Sequence, residues 1–288
     1  MPSASQKDIH LAYSVDADDA FMFHALSAGH VDPRGYHFVH RRLDTSGLNA
    51  LAQDAGADVV AVSLGVVPAI ADQYLLLPHG ASVGRGYGPV VVAKSPMSLT
   101  DLRGKRVGIP GHDTTAWLVL RLMQEGIVPV LVPIAPFTRV WQALDSGEID
   151  AALLIHEGRL LYEERGYQLV AELGQWWLRE TNLPLPLGVN VIRRALGAPT
   201  VAAVSAVLAE AIAWALGNRD QVMAHIASEE RGDAALARVP LLDRYLGMYA
   251  NADTATMAPD VRQGIDVLFA RARDAGLLPQ GRAPEWAP

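Results

Sequence analysis

Arg106-Val107-Gly108-Ile109-Pro110-Gly111-His112-Asp113-Thr114-Thr115-Ala116 is the stretch that decides the fold. An apolar run over 106–109 breaks at a Pro-Gly pair, and a helical pattern over 114–124 follows, closed by Gly126. A strand feeding a helix through a tight glycine turn opens a βα unit. Such a turn leaves the first N–H groups of the helix without intrahelical partners. That end can receive a carboxylate or phosphate, with Thr114 and Thr115 adding hydroxyls. Simple capping by Asp113 or Thr114 is the competing reading. The site lies at the carboxyl end of a strand, where α/β sheets hold their ligands, and this favours a ligand.

The same alternation extends in both directions. The pattern predicts strands over 9–13, 36–41, 58–63, 90–94, 128–132 and 151–155, and helices over 20–28, 48–54, 66–73 and 138–145. Asp16, Asp18 and Asp19 are placed to cap the first helix. Helices are expected over 201–216, 219–227, 241–249 and 259–275, followed by a loose tail over 279–288. The fold class is therefore α/β with a largely parallel sheet. An apolar crossover over 183–191, carrying Pro184 and Pro186, returns the chain to its first part. We expect a discontinuous larger lobe, 1–93 plus 189–288, and an inserted smaller lobe, 94–188, with a ligand cleft between them.

Composition narrows the partners. Half of the 288 residues are hydrophobic, enough for two packed domains. A net charge of −7, without runs of Lys or Arg, gives no field for a nucleic-acid backbone. The absence of cysteine excludes disulfides, thiolate catalysis and Cys-based metal sites. Residues 1–10 lack the apolar core of a signal peptide, and no apolar run is expected to reach the ~18 residues of a membrane span. These features predict a cytoplasmic protein with a small organic anion as partner, no membrane association, no metal and no cofactor; they leave the oligomeric state open.

His156 and Glu157 follow the apolar run 151–155, again where an α/β sheet presents its crevice. A neutral imidazole there suits general-base chemistry near neutral pH, oriented by Glu157 or another cleft group. A hydrogen-bonded structural histidine is the alternative. Trp176 and Trp177 suit either stacking on a flat ligand or a core. The glycine-rich Gly84-Arg85-Gly86-Tyr87-Gly88-Pro89 precedes a strand rather than a helix, which argues for a turn or hinge over a dinucleotide site. His37 and His40 fall on opposite faces of a strand and do not make a metal pair. Ala61-Val62-Ser63-Leu64-Gly65 approximates the Gly-x-Ser-x-Gly elbow of esterases. Beyond His156, however, only His225, inside a helical pattern, is available as a base for that chemistry.

Several of these segments together resemble a known family. Gly84–Pro89 with 91–93, Gly111-His112-Asp113-Thr114-Thr115-Ala116, Leu154-Ile155-His156-Glu157-Gly158-Arg159, Leu173-Gly174-Gln175-Trp176-Trp177 and Leu183-Pro184-Leu185-Pro186-Leu187-Gly188 occur in the order seen in 1,4-dihydroxy-6-naphthoate synthases of the futalosine route to menaquinone. The resemblance implies a two-lobed fold of the periplasmic-binding-protein type (type II), with a cleft between the lobes. It implies a carbon–carbon lyase acting on cyclic dehypoxanthine futalosine, with His156 as base. Ser63, Thr114 and Thr115 fall on the family's ligand-binding positions; Ser14, Asp19 and Arg85 belong to its shared segments. A non-catalytic carboxylate-binding protein of the same fold is the alternative. The chain departs from the family where Ser14-Val15-Asp16-Ala17-Asp18-Asp19-Ala20-Phe21 replaces Ser-Pro-Cys-Pro-Asn-Asp-Thr-Phe, and where Ala61 stands in place of a common lysine. Losing that cation predicts a hold on an anionic substrate weaker by about 1–3 kcal/mol.

Overall fold

The computed structural model describes residues 6–134, 136–229, 233–279 and 282–288. Its strands are β1 (Lys7–Ser14), β2 (Tyr36–Leu43), β3 (Val59–Ser63), β4 (Tyr74–Leu76), β5 (Ser82–Gly84), β6 (Val90–Ala93), β7 (Arg106–Ile109), β8 (Val128–Leu131), β9 (Ala151–Leu154), β10 (Gln168–Glu172) and β11 (Leu185–Arg193). Its α-helices are α1 (Ala17–Ser27), α2 (Thr45–Gln53), α3 (Val67–Ile70), α4 (Thr115–Met123), α5 (Thr138–Ser146), α6 (Leu173–Thr181), α7 (Ala198–Gly217), α8 (Arg219–Ser228), α9 (Val239–Tyr249), α10 (Ala252–Ala255) and α11 (Pro259–Asp274).

The strands form two sheets, one to each lobe. The first has the order β2-β1-β3-β11-β4, with β5 also on β11; the second has the order β10-β6-β9-β7-β8. By sheet membership the chain crosses between β5 and β6 and returns ahead of β11. The inner strands β3 and β9 are buried along their whole length, as apolar runs ending, in β3, at Ser63. The edge strand β8 is partly exposed and tolerates Pro129, which has no N–H to donate.

The sheets are mixed, which corrects the expectation of a largely parallel one. β1 runs parallel to β2 and β3, and β7 parallel to β8 and β9. β11 runs antiparallel to β3, β4 and β5, and β6 antiparallel to β9 and β10. The reason lies in the crossings. Val90 at the start of β6 pairs with Leu154 at the end of β9, and Gly188 of β11 pairs with Ser63 at the end of β3. A segment entering a sheet from the cleft must run away from it, against the strands that end there.

Two further expectations change. Ala198–Gly217 is long and apolar enough by composition to cross a membrane, contrary to the sequence reading. It folds instead as a core helix, with Val201, Val204, Leu208 and Ile212 buried among Ile9, Met22 and Phe23. The tail is not loose where it is described: Glu285 and Ala287 hydrogen-bond to Leu76 of β4, and Arg262 lies 4.3 Å over the Trp286 ring. Gln280 and Gly281 of that tail fall outside the described residues.

The glycine-rich stretch is a packing turn. Gly86 has φ +79°, and a Cβ on Gly84 or Gly174 would stand 1.9 or 2.1 Å from the Tyr87 carbonyl oxygen. Only bare backbone lets β5 turn toward β6 while α6 presses on it.

Candidate functional site

A cavity of about 100 Å³ lies between the two sheets, at the ends of β1, β3 and β9 and the start of α4. Ser14, Asp19, Ser63, Thr114, Thr115 and His156 all line it, so the structure brings together most of the residues singled out from sequence. Arg85 does not. Its guanidinium is clamped by Asp253 at 2.6 and 2.8 Å and by Asp260 at 2.7 Å, away from the cavity lining. Trp177 is wholly buried and donates to the Pro184 carbonyl, so it belongs to the core. His37 pairs with Asp8 on the surface.

His156 is held from several sides. Its backbone has φ +50°, a left-handed conformation that an L side chain adopts at a cost of about 1–2 kcal/mol. The ring Nδ1 stands 2.7 Å from an Asp16 carboxylate oxygen, and Nε2 lies 3.0 Å from the Thr45 hydroxyl at the start of α2. Tyr245 of α9 approaches Nδ1 at 3.4 Å and donates to Asp18 at 3.0 Å. Glu157, expected to orient the ring, instead accepts from the Ala17 N–H at 3.0 Å. Asp16 stands at the N-cap of α1 but makes no capping bond. Its carboxylate is turned to the imidazole instead.

Charge is dense on this wall. Burial raises the Asp18 and Asp19 carboxyls above the ordinary range, and neighbouring carboxylates add to the effect. Ser82 donates to Asp18 at 2.6 Å, and the Ser14 N–H donates to Asp19 at 2.6 Å. Burial works against a charged His156 ring, but the Asp16, Asp18 and Glu157 carboxylates overcome it, and its pKa is pushed up to about 9. The carboxylates around the ring thus favour its protonated form. Asp16, Asp18 and His156 also bring one ligand atom each within 4.8 Å of one another, a grouping of the kind that can hold a metal.

The facing wall is neutral. Thr114 is the N-cap of α4: its hydroxyl donates to the Gly111 carbonyl at 2.9 Å and accepts from the Trp117 N–H at 3.3 Å. The Thr115 hydroxyl donates to the Leu187 carbonyl at 2.6 Å and accepts from the Gly65 N–H at 3.1 Å. The threonine hydroxyls thus serve the cap and the closure between the sheets. Two kinds of group can meet an anion: the N–H groups of the first turn of α4, whose Thr115 and Ala116 line the cavity, and the Arg159 guanidinium, which also lines it while donating to the Gly88 carbonyl and to Glu172. Ser63 lines it as well, with its N–H bonded to Asn49 at 3.0 Å. Both nitrogens of His156 are engaged by groups other than Ser63, which removes the hydroxyl–imidazole contact an esterase needs.

The sequence reading missed Asp16, Thr45, Asn190 and Tyr245. Asp16 looked like a helix cap, and nothing local ties it to His156. Asn190 carried a usable signal, a lone polar residue inside the apolar Val189-Asn190-Val191-Ile192.

Comparison with known proteins bears on the family and the fold. The chain is 34% identical to the 1,4-dihydroxy-6-naphtoate synthase of Streptomyces coelicolor, over 96% of each chain. A solved protein from Archaeoglobus fulgidus matches with a TM-score of 0.87 and 39% identity, over 94% of this chain and 98% of that one. The alkanesulfonate-binding protein SsuA of Xanthomonas axonopodis pv. citri matches with a TM-score of 0.70 at 17% identity, over 96% of each chain, which shows the shared two-lobed periplasmic-binding-protein fold. The family described as menaquinone biosynthesis matches residues 9–274, and with that span covered the chain belongs to this family.

Proposed function

We propose that the chain is a carbon–carbon lyase that converts cyclic dehypoxanthine futalosine to 1,4-dihydroxy-6-naphthoate, with His156 as general base. The observation that carries this reading is the buried Asp16–His156 contact at 2.7 Å in a cavity shared with the N-terminus of α4. Asp16 keeps a proton on Nδ1 and leaves Nε2 to exchange the other one, beside Thr45. The first turn of α4 takes the substrate carboxylate. Loss of the proton to Nε2 sets up cleavage of the bond to the sugar-derived fragment, and aromatisation of the remaining ring drives its departure. Closure between the sheets excludes water from this step.

With its pKa pushed up to about 9, the free ring gains its base form as the solution becomes alkaline. The apparent rate rises with pH toward about 9. The test is formation of the dihydroxynaphthoate from the cyclic futalosine by purified protein, with His156→Ala expected to lower turnover by ~10²–10⁴-fold. Binding without turnover by the unaltered protein would overturn the lyase assignment in favour of a carboxylate-binding protein.

A further inference from the structure

Asn190 sits within β11 opposite Ala61 of β3, is fully buried, and lines the cavity. Neither its amide oxygen nor its amide nitrogen has a hydrogen-bond partner. Each buried, unsatisfied polar atom costs a folded chain about 1–3 kcal/mol, and such atoms call for a reason. The fold makes deliberate room for this amide. Gly80, which also lines the cavity, has φ +79°, and a Cβ there would stand 2.0 Å from the Asn190 amide nitrogen.

The surroundings say what kind of group completes the amide. Ser82, which donates to Asp18, pairs with Gly188, two residues along β11 from Asn190. This is the carboxylate-rich wall that carries Asp16, Asp18 and Asp19, and a ligand anion is repelled there. The anion end of a bound molecule belongs away from it, toward the start of α4 and the Arg159 guanidinium. Its neutral, oxygen-bearing end then faces Asp18 and Asn190.

We propose that Asn190 is a specificity-determining residue that reads this neutral end. Its carbonyl accepts from a ligand hydroxyl, and its NH₂ donates to a neighbouring ligand oxygen. The identity of the ligand rests on the lyase reading above, whereas the role of the amide rests on the geometry of β11.

The experiment measures calorimetric binding of cyclic dehypoxanthine futalosine to His156→Ala protein, which holds the compound without consuming it. The comparison is with the same protein carrying Asn190→Leu, similar in size but without polar atoms, or Asn190→Asp, similar in shape but without the donor. Both second substitutions are expected to weaken binding at least tenfold. Asn190→Leu is also expected to raise the melting temperature of the free protein, because two orphaned atoms leave the interior. A residue kept for structure would lower it. Binding within twofold in either variant, or a lowered melting temperature for Asn190→Leu, overturns the role of Asn190 alone. No binding by the His156→Ala parent overturns the lyase reading, and this inference with it.

Discussion

The two walls of the cavity solve opposite problems. At the β1–α1 junction, four carboxyl groups crowd around one imidazole, the His156 backbone is left-handed, and hydrogen bonds run from 2.6 to 3.4 Å. At the α4 junction, the side chains are neutral and each threonine hydroxyl is already used on both sides. The first wall holds reactive groups that the rest of the fold must stabilise. The second closes the sheets together and offers backbone N–H groups to a ligand. Reactivity and closure are thus separable by mutation.

The largest expected effect is on the acid wall. His156 has its folded pKa raised to about 9 from an ordinary 6.5. The ion pair therefore stabilises the fold fully below about pH 6.5, and this contribution is lost as pH rises through about 9. Its size is about 3 kcal/mol by linkage. Denaturant unfolding at pH 6 and pH 10 should show this difference in the unaltered protein and much less of it in Asp16→Asn. The same substitution should move the alkaline inflection of kcat/KM to lower pH. An unmoved inflection would mean that Asp16 does not tune the ring, and the contrast between the walls would lose its chemical half.

On the neutral wall the effect should be smaller and of a different kind. Thr115→Val strands the Gly65 N–H and the Leu187 carbonyl, at a cost of about 1–2 kcal/mol. A lower melting temperature and a raised KM, with kcat changed much less, would fit a residue that holds the lobes shut. A raised KM with an unchanged melting temperature would show that the hydroxyl turns to the ligand instead, which would sharpen the comparison by giving this wall a binding role. Smallest of all in its effect on the site, Arg85→Ala should leave substrate affinity within about twofold, although it strands the buried Asp253 carboxylate and lowers the melting temperature. A large loss of affinity would place a third charged region in the site.

Much of this was legible in the sequence, for reasons that differ by region. The strand 106–109 and the helix after it were readable because apolar period, glycine turn and helix start fall in consecutive residues. His156, Thr114, Thr115 and Ser63 were readable because they follow apolar strands, where α/β folds keep their ligands. β4 and β5 were not, being three residues each, and β10 was hidden by its polar ends, Gln168 and Glu172. The strand directions were missed because periodicity says nothing about which end of a strand enters the sheet. Asp16 was visible as a residue but not as a partner: its local setting is a helix start, and only the fold brings it to a ring 140 positions along the chain. In the segment where the chain departs from its family, Asp16 stands in the place of a cysteine. In the fold it is also the source of the imidazole's raised pKa.

The left-handed backbone at His156 carries one more consequence. Alanine there keeps the strain while deleting the ring, whereas glycine adopts φ +50° freely and leaves an imidazole-shaped void beside Asp16 and Thr45. His156→Gly should therefore be the more stable of the two vacated proteins, and the better host for free imidazole added to the buffer. Recovery of turnover with external imidazole in the glycine variant, and less of it in the alanine variant, would turn a quirk of backbone geometry into a handle for chemical complementation.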